Sequence, residues 1–102
     1  MEWRRGRLIL VAIAALLVYA CGATAQTTGE NGRRIYEANC RVCHGQRGEG
    51  ALGPELLGER AHKNEAQTID WIEHPLPPMP RLYPAPLSER DVRDVAKFVM
   101  TL

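Results

Sequence analysis

Two thiols and an imidazole fall within five residues, Cys40-Arg41-Val42-Cys43-His44. This is the spacing of a c-type haem attachment motif. Two thiols must reach two vinyl groups on one side of a porphyrin, and two intervening residues on a helical turn set that separation. The next residue then projects its imidazole toward the iron. Three other readings use the same side chains. A Cys40–Cys43 disulfide closes too small a loop to contribute much stability. A thioredoxin-like redox pair requires a βαβ setting, and no strand pattern precedes the motif. A zinc knuckle requires four ligands, and Cys40, Cys43 and His44 with His62 or His74 lack a second paired motif. The immediately following His, in a chain that begins with an export signal, favours one covalent haem c with its iron.

That signal occupies residues 1–25. Arg4, Arg5 and Arg7 face one acid, Glu2, and Leu8–Ala20 is an uninterrupted apolar run of 13 residues. A basic start, a short apolar stretch and the small-residue triplet Ala23-Thr24-Ala25 have the form of a cleaved secretory signal peptide. As a helix that run rises only about 20 Å, short of the roughly 30 Å of hydrocarbon that a membrane anchor must cross. Cleavage after Ala25 leaves Gln26 as the N-terminus. Val18-Tyr19-Ala20-Cys21-Gly22 offers a competing, lipoprotein-like site at which Cys21 is lipidated, although Tyr19 stands where such boxes take a small residue. The expected location is the periplasm, with a lipid anchor only if Cys21 is processed.

Residues 26–102 form the expected single domain, 77 residues with ten basic and eleven acidic side chains, so the +1 of the whole chain becomes −1. Neither value supplies the basic stripe that nucleic-acid binding calls for. Four aromatics (Tyr36, Trp71, Tyr83 and Phe98) and seven prolines leave a thin core. Chains this small usually need a disulfide, a metal or a bound cofactor as a staple. No nucleophile–base pair, phosphate loop or paired-carboxylate site is evident, so independent catalysis is not expected.

Helical patterning appears in three stretches. Between Gly32 and Cys40 the apolar positions Ile35, Tyr36 and Ala38 fall largely on one side of a helix. Ser88-Glu89-Arg90-Asp91 reads as a capping-box start. Val92, Val95, Ala96, Val99 and Met100 then recur at helical spacing as an apolar stripe. A third helix is expected from about Glu65 to Glu73. No stretch reads as a strand, and there is no internal repeat.

At this point the sequence resembles the class I cytochrome c family over nearly the whole of 26–102. Gly32-x-x-Ile35-Tyr36-x-x-x-Cys40 matches the family's first helix, and Gly53-Pro54-Glu55-Leu56 its proximal Gly-Pro-x-Leu stretch. Trp71-Ile72 followed by Pro75 resembles the segment leading to the distal loop. Met79-Pro80 matches the distal-ligand motif, and Leu87 through Val99 the C-terminal helix. The resemblance implies an all-α cytochrome c fold, three to four helices wrapped around one covalently bound haem. It implies that the first and last helices cross, with Gly32 allowing close approach and Tyr36 meeting Phe98. It also implies that the Pro54 carbonyl orients His44, that Leu56 lines the proximal side, and that Trp71 donates to a haem propionate; simple core packing is the alternative for Trp71. Only Lys63 and Lys97 remain as lysines after cleavage, unlike the lysine-ringed mitochondrial members, and Arg41, Arg47 and Arg81 border the motifs instead.

His44 is the expected ligand on one face of the iron. Met79, Met100, His62 and His74 are the candidates for the other. Met100 lies on the apolar stripe, His62 in the charged run Glu59-Arg60-Ala61-His62-Lys63, and His74 before Pro75. Met79 lies in Pro75-Leu76-Pro77-Pro78-Met79-Pro80, where each proline fixes φ and orders the loop in advance. His44 and Met79 together point to a one-electron carrier between periplasmic redox proteins: a dehydrogenase donor and an oxidase or another cytochrome as acceptor. A small haem subunit of a dehydrogenase complex is the related possibility. The rival classes are a five-coordinate haem enzyme or gas sensor, in which Met79 is unbound, and a metal-binding structural module without haem.

Overall fold

The computed structural model describes residues 26–102. The signal peptide read at 1–25 and the alternative lipid site at Cys21 lie outside the described residues.

The helix ends follow from local chemistry. Helix α1 (Thr28–Ile35) starts at Thr27, whose hydroxyl accepts the Glu30 N–H while the Glu30 carboxylate accepts the Thr27 N–H. Helix α3 (Glu65–Glu73) starts with the same reciprocal pair between Asn64 and Gln67, and α4 (Glu89–Val99) with Ser88 and Asp91. Each box satisfies two of the backbone donors that a helix start leaves open. After Ile35 the chain continues without a break through a π turn (Tyr36–Cys40) into α2, the short segment Arg41–His44. A 3-10 turn at Glu59–Ala61 precedes α3. Among the described residues there is no strand.

The core forms where α1 crosses α4, with α3 against α4 on the other side. Its buried apolar side chains are Ile35, Tyr36, Ile72, Leu87, Val92, Val95, Ala96 and Val99. Tyr36 and Phe98 meet with ring centroids 5.4 Å apart and planes tilted by 49°, within the range of favourable aromatic pairs. At the crossing, a Cβ on Gly32 would run into the Asp94 carbonyl, 2.9 Å from its carbon, and stand 3.0 Å from Phe98 Cβ. Only the absence of a side chain permits this approach.

The sequence pattern missed two features here. Ala38, expected on the inner side, is exposed, because the π turn changes the register of the stripe after Tyr36. The inner face of α1 instead includes a polar residue. The Asn31 amide donates to Asp91 Oδ1 at 3.0 Å and to Asp94 Oδ2 at 2.8 Å, and its oxygen accepts Arg34 Nη2 at 2.8 Å. Asp94 is buried and is also faced by Arg90 Nε at 3.5 Å. Buried polar groups persist only when paired, and every member of this group is paired.

Gly32→Ala is expected to lower unfolding stability by on the order of 2 kcal/mol, because the added methyl meets backbone that cannot swing aside. A denaturation series checks this through a lower midpoint at unchanged slope.

Candidate haem-attachment site

Cys40 closes the π turn and helix α2 carries Cys43 and His44, and the loop that follows absorbs the helix's unpaired carbonyls. Gly45 ends the helix at φ 88°, a left-handed conformation open to glycine, with its N–H donating to Arg41 O at 2.9 Å. Gly53 N–H donates to Cys43 O and Gly50 N–H to His44 O, each at 2.7 Å. These bonds fold the loop back over the motif and bring Pro54 to the imidazole. The His44 Nδ1–Pro54 O distance is 2.8 Å. A carbonyl can only accept, so Nδ1 carries a proton, and in the neutral ring Nε2 is the nitrogen with the lone pair. A Cβ on Gly53 would lie 3.1 Å from His44 Cε1 and 3.2 Å from Nδ1, so a side chain there would crowd the ring out of its seat.

Sequence reasoning missed the supports of this loop. The Tyr36 hydroxyl donates to Gly45 O at 2.6 Å, and burial raises its pKa. The Glu49 carboxylate accepts the N–H groups of Arg47 at 2.7 Å and Gln46 at 3.1 Å. Backbone donors, its own N–H first and that of Arg47 next, hold its pKa below the usual carboxylate range. A Gly followed within four residues by an acid, Gly45 to Glu49, is the only signal for such a turn and is not specific.

Burial, with Cys43 beside it, pushes the Cys40 thiol up to about 11. It is therefore a neutral thiol at physiological pH, whereas a catalytic redox pair depresses its reactive thiol. Cys40 and Cys43 are not joined by a disulfide, and no cluster of three or more metal-binding His, Cys, Asp or Glu side chains occurs among the described residues.

Cys40, Leu56 and Met79 all pack, half-buried, against the core cluster. Leu56 is tied by its N–H to Gly48 O at 2.7 Å, and Met79 N–H closes a turn onto Leu76 O at 3.1 Å. The other distal candidates sit elsewhere. His62 is exposed, His74 is exposed and lies 3.2 Å from Asp70 Oδ1, and Met100 packs against the core at the end of α4. Trp71 is a correction to the packing alternative. It is 46% exposed, with the Lys63 ammonium 5.9 Å from its ring centroid, and Ile72 takes the buried position on α3. Leu52 at 87% and Leu76 at 65% exposure are likewise left in water. An imidazole with a free Nε2, a thioether, a thiol pair and unburied apolar side chains in the same segments are the donor set and the surface that a covalent haem requires. The residues present fit the group.

Comparison with known proteins agrees. Residues 27–99 match the family model described as cytochrome c oxidase, cbb3-type, subunit III. The chain is 34% identical over 74 residues to a cytochrome c-553-like protein of Synechocystis sp., covering 72% of this chain and 68% of the relative. It is 34% identical over 76 residues to cytochrome c6 of Petalonia fascia, covering 70% of this chain and 88% of the relative. No solved structure matches the chain significantly. The chain belongs to the cytochrome c family, as a class I mono-haem member with the all-α fold and covalent haem c of that class. It is an electron-carrying haem protein.

Two outcomes follow from this geometry. A Cys40→Ala/Cys43→Ala variant, unable to hold haem, is expected to lose its cooperative thermal transition and most of its helical dichroism. Native-like values of both would contradict the role of haem as part of the core. The lowered Glu49 pKa stabilises the loop above the ordinary carboxylate pKa of about 4, and that contribution is lost as pH falls through the folded value. Wild type is therefore expected to melt above Glu49→Gln near neutral pH, with the two midpoints converging in acid.

Proposed function

We propose that this cytochrome is an exported one-electron carrier, attached to haem through Cys40 and Cys43 and ligated by His44 and Met79. The observation that carries the reading is the His44–Pro54 hydrogen bond, which holds the imidazole as the tautomer whose Nε2 can bind metal. Bound there, haem supplies an iron that gains and loses a single electron.

The chain's own part would be to supply two ligands to that iron. Held by both His44 and Met79, it would have no position open to substrate or oxygen. The neutral thioether favours the ferrous state and raises the reduction potential. Prolines 75, 77, 78 and 80 restrict the loop around Met79, so the thioether is presented with little chain entropy left to lose. Ligands that stay in place in both oxidation states leave little to rearrange during transfer. Leu56 is the proposed apolar neighbour on the His44 side. The exposed indole of Trp71 is free to donate to a haem propionate.

The partners are redox proteins of the exported compartment, a dehydrogenase as donor and an oxidase or another cytochrome as acceptor. Export itself rests on residues 1–25, and the mass of the mature protein distinguishes a start at Gln26 from a lipidated Cys21. A stable subunit role is the second reading, favoured by the match to a family described as an oxidase subunit. Co-purification with a larger redox protein at moderate salt would select it over the free carrier.

Met79→Ala is expected to remove the sulfur-to-iron charge-transfer band of the oxidised protein and to lower the reduction potential. Survival of the band would take Met79 out of the site. Rapid carbon monoxide binding by the reduced wild type at neutral pH would replace the carrier reading with a five-coordinate one.

A further inference from the structure

The helix that delivers the attachment motif is not a uniform α-helix. Its π turn spans Tyr36–Cys40, and the Arg41 N–H donates to Tyr36 O, five residues back. In an α-helix each amide reaches four residues back; the π pattern reaches five. The position stacked over Ile35, which α geometry would give to Asn39, passes to Cys40. One extra residue in the turn also rotates everything beyond it by about 100°, the angular step of a single residue at 3.6 per turn. Cys40 thereby comes to pack half-buried against the core cluster that contains Ile35.

A widened turn is less favourable than α geometry unless something holds it. Here the Asn39 side-chain amide donates to Ile35 O at 3.1 Å. That carbonyl is the one Asn39's own N–H would take in an α-helix, and a carbonyl has two lone pairs to offer. The side chain thus makes the i−4 bond that its backbone amide gives up. On the buried side the Tyr36 hydroxyl ties the start of the same turn to Gly45 O.

We propose that Asn39 is a positioning residue for haem attachment: its side-chain bond to Ile35 O holds the π turn in the register that presents Cys40 to the porphyrin. The inference rests on attachment through Cys40 and Cys43. In that step the Cys40 S–H adds across a vinyl C=C; an S–C bond forms, the proton passes to the other vinyl carbon, and nothing is oxidised or lost. Without the Asn39 bond the turn drifts toward α register; the Gly53 and Gly50 N–H groups still hold Cys43 and His44 to the following loop, so the displacement falls on Cys40.

The test compares Asn39→Thr with Asn39→Val in the exported holoprotein. The two side chains have nearly the same shape, and only Thr can donate to the carbonyl four residues back, as Thr68 already does to Asn64 O at 3.1 Å in α3. The readouts are alkylation of Cys40 located by peptide mass and the bis-pyridine haem spectrum, which shifts to the red when one vinyl stays unsaturated. Asn39→Val is expected to show a severalfold larger fraction of free Cys40 with Cys43 still bonded, and Asn39→Thr to return to the wild-type level. Thr and Val variants that behave alike overturn the proposal, whether both match wild type, both lose the bond or both fail to accumulate. Wild-type protein with Cys40 unmodified would instead overturn attachment itself, a distinct failure visible in the same digest.

Discussion

The crossing of α1 over α4 at Gly32 is the constraint on which the rest of this cytochrome depends. Backbone lies against backbone there, closer than any side chain would allow, and the packed apolar residues of both helices depend on that distance. Because α1 runs on through the π turn into α2, the crossing also sets where the two thiols and His44 emerge. A displacement of α1 would carry the attachment motif with it. The small set of buried apolar side chains has little capacity to absorb such a shift, so geometry at one glycine becomes geometry at the haem site.

The loop after α2 solves a different problem with the same economy of residues. A helix of four residues ends with carbonyls that nothing inside it can pair. Gly45, Gly50 and Gly53 supply N–H groups to them, and in doing so they place Pro54 over the imidazole. Helix termination and histidine orientation are therefore one construction. Tyr36 and Glu49 both support that loop through their side chains, one buried and one in solvent.

Much of this was legible in the sequence, and the reasons are physical. The attachment motif is read directly because its chemistry dictates spacing. Helix α4 is read from the capping pair Ser88 and Asp91 and from valines at helical intervals, both local signals. Helix α3 is expected at about Glu65 to Glu73 and lies there. Features that depend on contacts between distant segments were not legible. Periodicity puts Ala38 inward because it assumes a constant step, and the π turn breaks that step. Asn31 gives no local signal, since its partners stand some sixty positions away on α4. For Trp71 the sequence leaves a propionate donor and core packing both open, and only the fold shows that Ile72 beside it holds the buried place. Gly53 was visible as part of a motif, but its reason, the edge of the His44 ring, appears only in three dimensions.

The amide of Asn31, set between Asp91 and Asp94, carries a consequence for how the two ends of the domain find one another. Greasy faces of paired helices tolerate sliding, since one valine resembles the next. A slip of a single turn is about 5.4 Å, far beyond hydrogen-bonding reach. It would set one of the two carboxylates where the other stood and leave its neighbour without the amide. Misaligned dockings are thus penalised individually, so the chain termini close in one alignment only, like a key cut with a single notch.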